Sequence, residues 1–176
     1  FYREGREAVV AVSTPAGSPR HFLSINGKTD AGGGVEDVVK QKFLAHVPLL
    51  LHPDPKRAAI LGLGSGVTLG SALTHGLDQA VVLEISPEVV EASRFFEAEN
   101  HGALDNPKTR LVVGDGRTHL LMGRERYDVI VSEPSNPWMA GIASLFTREF
   151  FEGARDRLTP GGLMCQWAHT YDMREE

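Results

Sequence analysis

Cysteine is almost absent from this sequence, with one residue, Cys165, in 176. A single thiol excludes an intrachain disulfide and a cysteine-based zinc site, so nothing in the chain signals an oxidising compartment. Long apolar runs are missing too. Val47-Pro-Leu-Leu-Leu51 and Ala58-Ala-Ile-Leu61 fall far short of the roughly 18 residues a membrane helix requires, which predicts a soluble chain. Positive charge is in deficit: 18 Lys+Arg against 23 Asp+Glu give a net charge of -5, which argues against nucleic acid as a partner and suits a neutral or cationic small molecule. His46, His101 and His119 lack partner spacing for a metal, and no metal is expected. Glycine, by contrast, is plentiful. Its 19 residues exceed the roughly 7% average and imply sites where backbone turns sharply or approaches a ligand closely.

Residues 1–34 read as a small antiparallel β unit. Glu7–Ser13 and His21–Ile25 are strand-like, and Asn26-Gly27 is a hairpin signal because a type I′ turn needs positive φ at both central positions. The remainder, 35–176, reads as one Rossmann-like core. It opens with a helix whose apolar positions are Val35, Val38, Val39, Phe43, Leu44 and Val47, and Pro48 is expected to kink or end it. Short apolar runs then alternate with amphipathic stretches. The runs are Ala58–Leu61, Ala80–Glu84, Arg110–Val113, Tyr127–Val131 and Gly162–Trp167; the helices are Val67–Thr74, Glu88–Asn100, Thr118–Met122 and Thr147–Leu158. Such alternation predicts an α/β fold with a mostly parallel sheet buried on both faces.

In such a sheet ligands bind beyond the carboxyl ends of the strands. After the first core strand comes Gly62-Leu-Gly-Ser-Gly66, where an ordinary turn would need one glycine rather than three. Glu84 ends the second strand, at the spacing from which an acid reaches ribose hydroxyls. Together they indicate a nucleoside. A dinucleotide is disfavoured because Val67 stands where that fingerprint wants a small residue. The third strand ends in Gly114-Asp-Gly-Arg117, whose Asp115 can accept from an adenine amine while the amide of Gly116 meets the ring. The fourth ends in Ser132-Glu-Pro-Ser-Asn-Pro-Trp138, a proline-stiffened polar loop that places Glu133 at the mouth of the site.

Taken in order, the glycine loop, the strand-end acid, Gly-Asp-Gly, Tyr127–Pro137 and Leu145-Phe146 resemble the spermidine/spermine synthases, the polyamine aminopropyltransferases. Leu23-Ser-Ile-Asn-Gly27, Gln41 and Leu44–Leu49 agree with that resemblance, which is strongest to spermidine-synthase-like domains joined to multi-spanning membrane segments. The resemblance implies a methyltransferase-type fold. It makes Gly62, Gly64, Ser65 and Gly66 the loop for a sulfonium donor, decarboxylated S-adenosylmethionine or S-adenosylmethionine itself. Glu84 becomes the ribose ligand and Asp115 with Gly116 the adenine contacts. Gln41, Asn136 and Trp138 border the amine, and Glu133 is the base. It also implies a small amine or polyamine substrate, a homodimer, and a cytoplasmic location, or the soluble part of a longer membrane protein.

Three departures from the family pattern stand out. Ser65 replaces an Asp that pairs the donor's ammonium, Asn136 replaces a second Asp, and the sequence stops at Glu176, short of a pocket tyrosine that Tyr171 is not assumed to replace. With Phe1 rather than Met at its start, the sequence is expected to be part of a longer one. The leading reading is aminopropyl transfer to a small amine. Methyl transfer, favoured by Ser65, and a non-catalytic nucleoside-binding regulatory domain of a membrane transporter are the alternatives.

Overall fold

The computed structural model describes residues 1–134 and 141–168. The chain begins with an antiparallel sheet of four strands in sequential order: β1 (Tyr2–Glu4), β2 (Val9–Ser13), β3 (Phe22–Ile25) and β4 (Lys28–Gly32). Asn26 (φ 51°) and Gly27 (φ 80°) form the expected turn between β3 and β4. The Asn26 side chain also ties the turn to β2 by accepting the Val9 N–H at 2.9 Å. β4, with sequence Lys-Thr-Asp-Ala-Gly, is an addition to the sequence reading, since it has no apolar alternation to mark it.

α1 (Val35–Leu51) leads into the core. Two expectations are corrected here. Pro48 does not end the helix, which continues to Leu51; the ring is buried and its carbonyl accepts the closing His52 N–H at 3.1 Å. The apolar positions also do not all face inward. The buried face is Gln41, Leu44, Ala45, Pro48 and Leu49, while Val35, Val39, Phe43, Val47 and Leu50 are exposed.

The second sheet is parallel throughout. Its strands are β5 (Arg57–Leu61), β6 (Gln79–Glu84), β7 (Thr109–Val113), β8 (Tyr127–Ser132) and β9 (Leu158–Gln166), ordered β7-β6-β5-β8-β9. Both faces are covered, which explains the continuous apolar runs. Along β5, Ala58 and Ile60 enter a core shared with Val10, Leu23, Leu44 and Phe96, whereas Ala59 and Leu61 enter a second core with Leu120, Tyr127 and Phe150. The strand order reverses at β5, so the crevice opens between the ends of β5 and its two neighbours.

The connecting helices are α2 (Val67–Ala72), α3 (Pro87–Ser93), α4 (Glu97–Asn100), α5 (Gly116–Met122) and α6 (Arg148–Asp156). Ser86 caps α3 through the Val89 N–H, with Pro87 in the first turn. The single helix expected over 88–100 is broken by a 3₁₀ turn at Arg94–Phe96, which carries the Phe96 ring fully into the core. At the far end α6 stops at Asp156, short of the expected Leu158, and Leu158–Gly162 belong to β9. The register against β8 jumps from Tyr127↔Leu158 to Val129↔Leu163, so this glycine-rich segment bulges from the edge strand.

Candidate active site

The carboxyl ends of β5, β6, β7 and β8 open into one cleft of about 1170 Å³, roofed by β4 and α1. Gly62, Gly64, Ser65, Gln41, Glu84, Asp115, Gly116 and Glu133 all line it. Gly66 does not; it caps α2 in a left-handed conformation and lies against Asn100. Asn136 and Trp138 lie outside the described residues.

Glu84 is the end of β6 and is 7% exposed. Its Oε2 accepts the Leu63 N–H and its Oε1 the Ser86 N–H, each at 2.9 Å. The carboxylate therefore holds the glycine loop to the β6–α3 turn before any ligand arrives. Burial pushes its pKa up, the backbone bonds to Ser86, Leu63 and Ile85 oppose this, and the charge of Asp30 adds to the rise.

Asp115 has a structural task alongside its place in the cleft. It caps α5, with Oδ1 accepting the Arg117 N–H at 3.0 Å and Oδ2 the Thr118 N–H at 3.3 Å. Gly116 follows in a tight place, since a Cβ there would meet the Leu61 and Leu83 side chains at 3.3 Å.

Glu133 leaves the end of β8 next to the glycine loop. Its amide donates to the Leu61 carbonyl at 2.9 Å, and Thr68 Oγ1 donates to its Oε2 at 2.6 Å. Burial pushes the Glu133 carboxyl up to about 7, against the Thr68 hydrogen bond and with help from Asp30. A carboxylate so placed exchanges protons near neutrality, which an ordinary glutamate does not. Across the sheet, Cys165 on β9 has its thiol pushed up by burial and by Glu133.

The hydroxyl of Ser65 donates to Gln41 Oε1, whose Nε2 donates to the Asp37 carbonyl at 3.2 Å. Gln41 thus anchors the loop to α1 while lining the cleft. Three contributors were missed in the sequence. Asp30 comes from β4 and acts on both Glu84 and Glu133. Thr68 holds Glu133. Asn100, 3% exposed, donates from Nδ2 to the Ser65 carbonyl at 2.8 Å and the Ser93 carbonyl at 3.0 Å. Its own backbone lies so close to α2 that a Cβ on Gly70 would stand 2.2 Å from the Asn100 carbonyl oxygen. The available signals were an Asn ending a helical stretch before His-Gly, and a glycine inside a helix.

Among the described residues, no group of three or more His, Cys, Asp or Glu could hold a metal ion, and no helix is long and apolar enough to cross a membrane. The arrangement brings two carboxylates, Glu84 and Glu133, to opposite sides of a glycine-lined strand end in one cleft. It can seat a nucleoside by its ribose on one side and take up a proton on the other.

Known proteins share this arrangement of strands. The spermidine synthase of Dictyostelium discoideum is 34% identical over 140 residues, which are 76% of this chain and 49% of that protein. The polyamine aminopropyltransferase of Archaeoglobus fulgidus is 36% identical over 146 residues, 82% of this chain and 53% of the relative. Among solved structures, the spermidine synthase of Thermotoga maritima superposes with a TM-score of 0.82 at 27% identity, covering 94% of this chain and 55% of that one. A spermidine synthase in complex with the transition state analogue AdoDATO gives 0.80 at 26% identity, with the same coverage. The chain spans about half the length of the curated relatives it matches. The family described as Spermine/spermidine synthase domain matches residues 37–176, and with the glycine loop, Glu84 and Glu133 standing in one cleft at the strand ends, the chain belongs to the spermine/spermidine synthase family.

Proposed function

We propose that the protein transfers an aminopropyl group from decarboxylated S-adenosylmethionine to a small amine or polyamine. The observation that carries this reading is Glu133, a carboxylate with its proton affinity set near neutrality, in the same cleft as Glu84 and the glycine loop. Similarity to a spermidine synthase bound to AdoDATO supports the choice of donor.

In this reading the nucleoside ribose is held by Glu84 and its adenine lies near Asp115 and Gly116. The amine nitrogen, which must be neutral to attack, forms a bond to the donor carbon next to the sulfonium. The carbon–sulfur bond breaks, its electron pair returns to sulfur, and methylthioadenosine leaves uncharged. Glu133 takes the proton released by the amine. Its raised pKa makes it a stronger base than an ordinary carboxylate, and the cleft supplies orientation. The acids Asp30, Glu84 and Glu133 give the site a negative field that suits a cationic acceptor.

Calorimetry with decarboxylated S-adenosylmethionine, S-adenosylmethionine and methylthioadenosine, together with an assay for aminopropylated product, tests the reading. Preference for the decarboxylated donor and turnover with a diamine are expected. Preference for the parent compound with methylated product, or no binding of any of the three, would overturn it.

A further inference from the structure

Thr68 is 1% exposed on α2, with its hydroxyl oxygen 2.6 Å from Glu133 Oε2 and 3.1 Å from the backbone carbonyl oxygen of Gln41. A hydroxyl carries one proton. When Glu133 is ionised, both neighbours are acceptors and Thr68 can serve only one of them. When Glu133 carries a proton, that proton faces Thr68 Oγ1, and the chain Glu133 O–H to Thr68 O–H to Gln41 carbonyl is complete. We infer that Thr68 is a positioning residue for Glu133. Its hydroxyl turns to the carboxylate when Glu133 is ionised and to the Gln41 carbonyl when Glu133 is protonated, so that one side chain aims the group in either state. The inference rests on Glu133 being the proton acceptor proposed above.

The surroundings of Glu133 make this hydroxyl matter. Among the described residues, Asp30 from β4 and Cys165 from β9 are the titratable groups that act on it or feel it; the charge of Asp30 disfavours its ionisation, and Glu133 in turn disfavours ionisation of the Cys165 thiol. Burial disfavours ionisation as well. Thr68 is the opposing influence, a short donor to the charged form. The same Gln41 whose carbonyl receives Thr68 also receives the Ser65 hydroxyl on its side chain. A change of proton at Glu133 therefore reaches α1 at the residue that holds the glycine loop.

The test uses the full chain with ¹³C-labelled glutamate side chains, the Glu133 carboxyl resonance being assigned by its loss in Glu133→Gln. Thr68→Val removes the hydroxyl at nearly constant volume and should move the Glu133 titration upward by about one pH unit, the size expected for a charge-assisted hydrogen bond. Thr68→Ser should restore it. In turnover, the acidic limb of the pH profile should move upward in Thr68→Val by the same amount. If the Val variant does not fold, Thr68→Ala takes its place. An unmoved titration in the folded hydroxyl-free variant, or a Ser variant that behaves like Val, overturns the inference. The titration is read without substrate, so it fails or stands separately from the wild-type turnover that tests the proposed reaction.

Discussion

The backbone carbonyl oxygen of Glu133 stands 2.7 Å from the point a Cβ on Gly62 would occupy. The strand end that delivers the proposed base is thus in direct contact with the first residue of the glycine loop. Gly62 also has φ +91°, which an L side chain rarely adopts. Gly62→Ala is expected to lower stability by about 2 kcal/mol or more, from backbone strain plus displacement of Glu133. Urea unfolding measures this, and an unchanged midpoint would contradict the contact.

Glu84→Ala should weaken methylthioadenosine binding about 10- to 100-fold, the loss expected for charge-assisted hydrogen bonds to ribose. It also leaves the Leu63 and Ser86 amides without the acceptor they share. A fall in melting temperature should accompany the loss of affinity. Titration calorimetry at a temperature where the variant is still folded separates the two.

Glu133→Gln should reduce turnover at least 100-fold, in the range for losing a general base, while nucleoside affinity stays within a few-fold. In the wild-type protein, turnover should fall as pH drops through about 7, because the base must be unprotonated. Stability should move the other way. The folded protein binds this proton more tightly than the unfolded chain, so the stabilisation is complete below pH 4.5 and is lost as pH rises through about 7. The Gln variant cannot lose a proton and should melt higher than wild type at pH 8 but not at pH 4.5. The difference should be at most about 3 kcal/mol, from the pKa shift at 1.36 kcal/mol per unit. A pH-independent difference in melting temperature would refute it.

Asn100→Ala removes two buried donations from Nδ2 and the acceptor for the Gly102 N–H at 3.0 Å. A loss of about 2–3 kcal/mol is expected, because the Ser65 and Ser93 carbonyls then face a void. Since one of them belongs to the glycine loop, nucleoside affinity should fall too. Retained affinity in a destabilised variant would mean that Asn100 supports the fold alone.

The core strands were legible because a parallel sheet covered on both faces requires unbroken apolar runs, and Ala58–Leu61 or Tyr127–Val131 can serve no other purpose so well. Glu84 and Glu133 were legible because each closes such a run with an acid. What escaped depends on distant parts of the chain meeting. β4 is held by pairing with β3 and has little apolar content of its own. The outward stripe of α1 has the same periodicity as its buried face, so spacing alone could not choose between them. Thr68 and Asn100 are ordinary residues locally; it is Glu133 in the first case and the Ser65 carbonyl in the second, both distant along the chain, that tie them to the cleft.

The reversal of strand order at β5 has a consequence for how the protein folds. Ala59 pairs on one side with Val81, close along the chain, and on the other with Ile130, much farther away. Closing the longer loop carries the greater entropic cost, so β5, β6 and β7 can assemble before β8 joins them. The half of the cleft proposed to hold the nucleoside would then be built first and the proposed base delivered last. Pulse-labelling hydrogen exchange should find β6 protected ahead of β8, and simultaneous protection of the two would exclude this order.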